Sequence, residues 1–362
     1  MAASTPRCIN CSLQKWSASD RSAMKRWLTE AWYRGSRLLV LLVPLGWLFG
    51  LVATRRRQQL LACGPYQASV PVIIVGNITV GGTGKTPLCI ALARHFSDGG
   101  LNVVIVCRGY GGKGAVYPLV VTAASDPQQA GDEAVLLAQR AGCAVVVDPN
   151  RVRAVKLAEQ ELQAQLVLSD DGLQHYALGR TLELAVVDGE RGLGNQQLLP
   201  AGPLRELPSR LRRVDIVIAN GVLAQPLPVQ VMHQFTLELR PTLLVNLVSG
   251  EHLTVDQWRQ RHRAGTLVHA VAGIGNPGRF FASLQQLGFV IMPQSFADHH
   301  TYNANDLAFG DVAPVIMTAK DAVKCSRFAR SHWWALEVEA VLPTEFYALL
   351  QQLLQKGLAH KP

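Results

Sequence analysis

The sequence lacks the features of a disulfide-bonded or metal-finger protein. Its seven cysteines are odd in number and irregularly spaced, so they indicate a reducing compartment rather than a disulfide framework. Cys8 and Cys11 form a single CxxC pair with no second half, which does not favour a zinc or redox role. Only 17% of the residues are charged, and 49% are hydrophobic, so the 362 residues suffice for two domains with a sizeable core.

The positive charge is confined to the N-terminal region. The whole chain has a formal net charge of +9, but residues 1–57 contain ten Lys and Arg against only Asp20 and Glu30. That region therefore carries +8, and residues 58–362 carry only +1. A basic nucleic-acid-binding face on the body of the chain is not expected.

The longest apolar run without a charge, residues 38–53, is short for a membrane span. As a helix it measures ~24 Å, against a hydrocarbon core of ~30 Å. No small-residue cleavage site follows it, which disfavours a signal peptide. Trp27, Trp32, Tyr33 and the flanking arginines resemble interfacial anchors. We expect a membrane anchor over residues 26–57, spanning or lying in one leaflet, with a buried core helix as the alternative. Residues 1–25 are predicted to be a disordered extension, with Met24 as an alternative start.

Residues 72–87, VIIVGNITVGGTGKTP, predict a phosphate-binding loop. A buried strand, Val72–Val75, precedes a glycine-rich loop, and a helical pattern over Leu88–Phe96 follows it. Backbone N–H groups and the helix N-terminus would then face phosphate oxygens. One departure is Thr79, which stands where the usual pattern has its first glycine. The predicted cradle for the nucleotide consists of Thr79, Val80, Gly81, Gly82, Thr83, Gly84, Lys85 and Thr86.

Charged residues follow several other apolar runs of the same α/β region. Ligands bind at the carboxyl ends of parallel strands in open α/β sheets. Arg108 lies at one such strand end, where it would either contact an anionic substrate or be exposed to solvent. Asp132 and Glu133 begin a helical pattern, where capping alone would explain them. Asp170 and Asp171 end a buried run as magnesium-binding acids of a Walker-B strand do, and Asp188 is the rival for that role.

The coarse pattern predicts an α/β protein with a P-loop NTPase-type parallel-sheet domain, a second, smaller α/β domain and an N-terminal membrane-associated helix. The first domain is predicted over 58–221 and the second over 266–355. Between them, 222–265 is predicted to be a β-hairpin linker, with strands 231–239 and 242–248 on either side of Arg240–Pro241. In the second domain, Gly273–Gly278 matches G-x-G-x-x-G, so a dinucleotide-binding module is an alternative function.

Taken together, these motifs resemble the tetraacyldisaccharide 4′-kinase (lipid A 4′-kinase) family over residues 26–340. Thr79 agrees with that family. The likeness rests on VPLGWLFG (43–50), VGNITVGGTGKTP (75–87), RGYGGK (108–113), AGDE (130–133), DDGLQH (170–175), LPAGPLRE (199–206), AGIGNP (272–277) with RFF (279–281), ADH (297–299) and MTAKDAVKC (317–325).

The resemblance implies transfer of the ATP γ-phosphoryl group to the 4′-hydroxyl of a tetraacyldisaccharide 1-phosphate in lipid A biosynthesis. The expected setting is the cytoplasmic face of a Gram-negative inner membrane. The expected partners are the lipid-linked substrate and the membrane, with no nucleic acid and no obligate protein partner. The alternative is another membrane-bound P-loop NTPase, such as a GTP-dependent switch or metallochaperone. The sequence disfavours a GTP-dependent protein, because Asn220–Gly221 is not part of a guanine-specifying Asn-Lys-x-Asp.

The resemblance also implies roles for individual residues. Asp132 would be the general base, oriented by His299 from the second domain, while Lys85 contacts the β- and γ-phosphates. Thr86 and Asp171 would hold Mg²⁺, assisted by Asp170 or Glu133. The residues expected at the acceptor substrate are Arg108, Tyr110, His175, Arg205 and Glu206.

Overall fold

The computed structural model describes residues 27–262 and 265–359. The predicted extension 1–25, with Cys8, Cys11 and Met24, lies outside the described residues. The strands are β1 Val72–Gly76, β2 Val103–Cys107, β3 Leu119–Val121, β4 Ala144–Val147, β5 Leu166–Asp170, β6 Leu182–Asp188, β7 Ile216–Asn220, β8 Gln234–Asn246, β9 His252–Thr254, β10 Leu267–Ala272, β11 Val290–Ser295, β12 Val315–Thr318 and β13 Trp333–Val341.

Helices alternate with these strands along most of the chain. The α-helices are α1 (27–34), α2 Val43–Ala62, α3 Lys85–Asp98, α4 Pro127–Ala130, α5 Asp132–Arg140, α6 Arg151–Gln160, α7 Val255–Arg261, α8 Pro277–Gln286, α9 Ala319–Cys325 and α10 Thr344–Ala359. Short 3₁₀ helices cover Arg37–Leu42, Pro208–Arg213, Ala304–Leu307 and Ser326–Phe328.

The first half of the molecule is a parallel sheet with helices on both faces. Its strand order is β8-β7-β6-β1-β5-β2-β4-β3, and within it only the edge strand β3 pairs antiparallel. Strands β1, β2, β5, β6 and β7 are buried along their whole length, as expected for apolar runs covered on both faces. One core packs α3, α5 and α10 on one face, and a second core packs α6 on the other. The predicted α/β class is confirmed.

The predicted hairpin around Arg240–Pro241 is wrong, because this segment is one strand of 13 residues, β8. Its first part pairs parallel with β7, and its second part pairs antiparallel with β13. Pro241 lies opposite Val338, next to an irregularity in the pairing at which β8 has one residue more than β13, so its missing N–H is tolerated. A different hairpin follows, in which β9 folds back on β8 after Asn246.

Strand β8 belongs to both halves of the sheet and sets how they are oriented toward each other. It leaves β7 at the carboxyl end of that strand, where Leu237 pairs with Asn220, and continues outward. Strand β13 returns beside it, so that Val341 at its end lies opposite Glu238. Strands β10, β11 and β12 run parallel to β13 and complete the smaller half. The loops that follow β10 and β11 therefore point back at the carboxyl edge of the first half. Trp333 and Trp334 are buried in this smaller half, as predicted.

Helix α2 lies against the body on one side only. It extends to Ala62, so the predicted anchor boundary at residue 57 falls inside the helix. Gly46 and Gly50 form the contact, because a Cβ at either position would approach Leu198 at 3.2 Å or closer. The segment 37–62 is apolar and long enough to be a candidate membrane span, with only 11% of its apolar window buried.

Trp32 departs from its predicted role as an interfacial anchor. Its side chain is buried, and its indole N–H donates to the carbonyl of Pro200 at 3.0 Å. Trp27, by contrast, is 52% exposed. The aromatic residues before the apolar helix therefore divide between packing on the body and facing outward.

Candidate active site

Buried polar side chains hold the glycine-rich loop between β1 and α3 in place. Gly81 and Gly84 have φ values of 108° and 94°, which only glycine adopts easily, and α3 begins at Lys85 directly after them. The Asn220 amide donates to the carbonyl of Thr83 at 3.0 Å. The Asn77 amide lies 3.5 Å from the Thr79 hydroxyl and 3.3 Å from the Thr83 hydroxyl. The loop is thus preformed.

Thr79 does not line the cradle as predicted. Its side chain is 3% exposed and turns inward to Asn77, so it supports the loop from beneath. The other predicted cradle residues, Val80, Gly81, Gly82, Thr83, Gly84, Lys85 and Thr86, line the open cavity.

Asp171 lies next to the lysine of the loop. The Lys85 ammonium is 3.5 Å from Oδ1 of Asp171, and Arg205 donates to both carboxylate oxygens at 3.1 and 3.0 Å. Burial alone would raise the pKa of Asp171, but Lys85 and Arg205 outweigh it and hold that pKa well below its usual range. Asp171 also has a φ of 49°, in the left-handed region that non-glycine residues rarely occupy. The carboxylate is therefore ionised and rigidly placed.

Asp170 is the buried neighbour in this pair. Burial, reinforced by the charge of Glu133, raises the pKa of Asp170 to about 7. Arg151 supports it from α6: the guanidinium donates to the carbonyl oxygens of Asp148 at 3.0 Å and Asp170 at 3.1 Å. Sequence reasoning missed Arg151, whose only signal was its place just after another strand end.

Asp132 and His299 meet across the two halves of the molecule. Nδ1 of His299 lies 3.3 Å from Oδ2 of Asp132, and the other carboxylate oxygen accepts the N–H of Glu133 at 3.0 Å. Burial would raise the pKa of Asp132, but His299, Lys320 and Lys324 together lower it. His299 has a φ of 62°, again in the left-handed region. Strain of this kind, costing ~1–3 kcal/mol, is typical of functional sites.

The residues predicted to contact the acceptor occupy different positions. Arg108 and Tyr110 are exposed on the loop after β2, and the Tyr110 ring packs on His299 with centroids 4.7 Å apart. Burial lowers the pKa of His175 to about 4, assisted by the charges of Arg151, Arg180, Arg56 and Arg108. Arg205 binds Asp171, as described above. Glu206 accepts hydrogen bonds from Gln174 at 2.8 Å and from the Tyr176 hydroxyl.

Glu133 and Asp188 are both engaged by cations. Glu133 accepts a hydrogen bond of 2.9 Å from Lys320, a residue of α9 that sequence reasoning did not single out. The short MTAKDAVKC motif after β12 was the only signal for Lys320. Asp188, the rival magnesium ligand, accepts the N–H groups of Glu190 and Arg191 and lies 3.5 Å from the Arg279 guanidinium. It therefore orders the loop after β6.

The second glycine-rich motif, Gly273–Gly278, does not form a separate dinucleotide cradle. Its Gly275 lies directly on the P-loop, where an added Cβ would stand 2.6 Å from the backbone nitrogen of Gly82. Arg191 donates to the carbonyl of Gly275 at 2.6 Å, and Arg279 donates to the carbonyl of Asn220 at 2.9 Å. The motif is thus an interdomain contact.

Most of these groups, among them Lys85, Glu133, Asp171 and His299, line one large cavity of about 2490 Å³, well above the ~300–1,000 Å³ usual for small-ligand sites. Asp132 is buried next to His299 and is not itself a lining residue. Its walls extend from Trp47 and Leu51 on α2 to Lys85 and Asp171 at the sheet. A cavity of this size accommodates two large substrates together, one of them beside an apolar helix.

The donor set fits a magnesium ion held jointly with a nucleotide. The Thr86 hydroxyl and the carboxylates of Glu133, Asp170 and Asp171 line the same cavity, and hard oxygen ligands suit Mg²⁺. Within residues 27–262 and 265–359 no three acidic, His or Cys side chains form a ready-made metal cluster. Mg²⁺ commonly takes one or two carboxylates together with substrate phosphates, so this arrangement is compatible.

Known kinases are similar to this chain, as the site predicts. A family model described as tetraacyldisaccharide-1-P 4′-kinase matches residues 38–355. The tetraacyldisaccharide 4′-kinase of Alcanivorax borkumensis is 48% identical over 336 residues, covering 93% of this chain and 98% of that protein. The protein of the same name from Pseudomonas aeruginosa is 45% identical over 334 residues, covering 92% and 98%.

A solved structure has the same fold. LpxK from Aquifex aeolicus, crystallised in complex with ATP, superposes with a TM-score of 0.72 at 27% identity, covering 88% of this chain and 99% of that one. The predicted fold class and family are confirmed, and neither a GTP-dependent switch nor a dinucleotide-binding module is supported. The chain belongs to the tetraacyldisaccharide-1-P 4′-kinase family.

Proposed function

We propose that this ATP-dependent tetraacyldisaccharide 4′-kinase uses Asp132 as the general base that activates the 4′-hydroxyl of its acylated disaccharide 1-phosphate. The observation that carries the proposal is the Asp132–His299 pair, 3.3 Å apart and contributed by the two halves of the molecule. Both residues lie in the region where the P-loop, the acidic pair and the loops of the smaller half meet. Phosphoryl transfer depends mainly on positioning and on neutralising charge, and this arrangement supplies both.

The nucleotide is bound by the loop between β1 and α3. Backbone N–H groups of Gly81–Thr86 donate to phosphate oxygens, and the N-terminus of α3 adds its partial positive charge. The Lys85 ammonium lies 3.5 Å from Asp171. When the nucleotide binds, Lys85 turns from that carboxylate to the β- and γ-phosphates. Thr86 and Asp171, with Asp170 or Glu133 assisting, would hold Mg²⁺, which would further neutralise the phosphate charge.

Asp132 takes the proton of the sugar hydroxyl at Oδ2 as the hydroxyl oxygen bonds to the γ-phosphorus and the bond from that phosphorus to the leaving ADP oxygen breaks. Its lowered pKa keeps it ionised at neutral pH and ready to accept. His299 orients this oxygen and stabilises its charge. Because the two residues come from the two halves of the molecule, the pair is complete only when both halves are together, which limits access of water to the γ-phosphate.

The acceptor is proposed to enter from the membrane beside α2, at the cytoplasmic face of the inner membrane. Leu41, just before this helix, and Trp47 and Leu48 on it are 57–79% exposed, and residues 37–62 are long and apolar enough to cross a membrane. Arg108, Tyr110, His175, Arg205 and Glu206 would line or order the path of the sugar. We also propose that 58–221 and 266–355 act as nucleotide and lid units, because each contributes one member of the Asp132–His299 pair.

The test is an assay with purified protein, ATP, Mg²⁺ and the acylated disaccharide 1-phosphate. Wild type should form the 4′-phosphorylated product, and Asp132→Asn should lower kcat by about 10²–10⁴-fold, the usual contribution of a general base. Binding of ATP should be unchanged. Asp98→Asn is the control, because Asp98 is an exposed aspartate at the end of α3. Full turnover by Asp132→Asn would reject the assigned base.

A further inference from the structure

Lys320 lies at the centre of the contact between the two halves. It is the second residue of α9, and its side chain is only 16% exposed. Its ammonium donates to Oε1 of Glu133 at 2.9 Å and lies 3.4 Å from Oδ1 of Asp298. It also lies 3.4 Å from Nε2 of His299. One cation thus touches three groups, two of which belong to the loop after β11.

The contact with His299 defines how the imidazole carries its proton. A lysine ammonium has three donors and no acceptor, so Nε2 of His299 faces it productively only as an unprotonated acceptor. The hydrogen of a neutral ring must then reside on Nδ1, the nitrogen that lies 3.3 Å from Oδ2 of Asp132. In this tautomer the hydrogen lies on the nitrogen that is nearest to the proposed base, where a small rotation of the ring lets it donate to Oδ2.

Asp298 would favour the opposite arrangement if it were unopposed. Its Oδ1 lies 3.8 Å from Nε2 of His299 and would accept a hydrogen from that nitrogen. Nδ1 would then be bare toward Asp132, or the ring would become doubly protonated between two carboxylates. Lys320 prevents this by neutralising Asp298.

We propose that Lys320 is a positioning residue that holds His299 in the tautomer protonated on Nδ1, and so directs its hydrogen to Asp132. The proposal rests on the proposed function of the Asp132–His299 pair. Lys324, the other lysine of this helix near Asp132, is engaged differently: its ammonium lies 2.8 Å from Asp321 and 3.9 Å from Asp132. It does not replace the contact that Lys320 makes with the ring.

The experiment compares Lys320→Met, which keeps the length of the side chain without its charge, with Lys320→Arg. Lys156→Met is the matched control, because Lys156 is exposed on α6. In the full-length protein in detergent, ¹⁵N spectra of the histidine rings report the tautomer directly, and His299→Asn identifies the signals of His299. Turnover is measured in parallel with separate kcat and KM for ATP.

Wild type should carry a hydrogen on Nδ1 of His299 and none on Nε2, and Lys320→Met should carry a hydrogen on Nε2. The kcat of Lys320→Met should fall by about 10²-fold or more, as when a catalytic histidine has the wrong tautomer, while KM for ATP stays within about twofold. Lys320→Arg should keep the tautomer and recover most of the turnover.

Unchanged ring signals in Lys320→Met overturn the proposal, whether or not turnover falls, because Lys320 would then act by another route. Failure of the proposed base is a separate outcome, recognised by full activity of Asp132→Asn. In that case the ring spectra still decide whether Lys320 sets the tautomer of His299.

Discussion

Gly275→Ala should disable the enzyme by separating the two halves at the site. The added methyl group would stand 2.6 Å from the backbone nitrogen of Gly82, whereas ordinary contacts of a Cβ begin near 3.4 Å. Relief requires a displacement of about 0.8 Å at this point. The P-loop side is held by the bonds from Asn220 to Thr83 and from Val80 to Pro203. The shift therefore falls mainly on the half that carries His299.

A displacement of ~1 Å in a catalytic constellation costs about 10²-fold in rate, so kcat of Gly275→Ala should fall by that order. Overpacking also costs ~1–3 kcal/mol, and thermal melting verifies that the variant is folded at the assay temperature. Gly278→Ala is the control from the same loop, since the nearest atom to its added Cβ lies 3.7 Å away. Wild-type kcat and KM for ATP in Gly275→Ala would refute the reasoning.

Two further predictions concern the acidic pair and the membrane helix. Because Asp170 has a pKa of about 7 in the folded protein and about 4 when unfolded, its stabilising effect is complete below pH 4 and is lost as the pH rises through 7. Asp170→Asn should therefore be more stable than wild type at pH 8 in metal-free buffer, by at most ~4 kcal/mol, and melting curves with equal pH dependence would contradict this. Replacing the exposed Trp47 and Leu48 by aspartate should move the protein from membrane to soluble fractions without unfolding it, and retention in the membrane fraction would exclude this face as the anchor.

Local sequence patterns predicted much of the fold, because the determinants are local. Apolar runs in the sequence formed strands β1, β2 and β5, and every residue of these strands is buried. The P-loop was recognisable because its glycines, Lys85 and the start of α3 are contiguous. Strand β8 was mispredicted since Arg240–Pro241 has the composition of a turn. Its proline lies at an irregularity in the pairing with β13, a strand almost 100 residues later in the sequence.

The site was harder to predict where it depends on contacts between distant segments. Motifs pointed to Asp132, Asp171 and His299, but no pattern indicated that Lys320 would lie against Glu133, 187 positions earlier. The inward orientation of Thr79 depends on Asn77 and was not visible in the spacing. Such contacts arise from the way β8 folds the second half back over the first.

The packing of α2 through Gly46 and Gly50 has a consequence for how this enzyme should be studied. The helix lies close against the body, and the same cavity that holds Lys85 reaches its Trp47 and Leu51. On the proposed route beside this helix, an acceptor confined to the bilayer would reach the site by lateral diffusion, and its encounter rate would depend on its density in the surface. Diluting the acceptor with inert lipid at constant total amount should lower the rate, so its KM is properly a mole fraction rather than a bulk concentration.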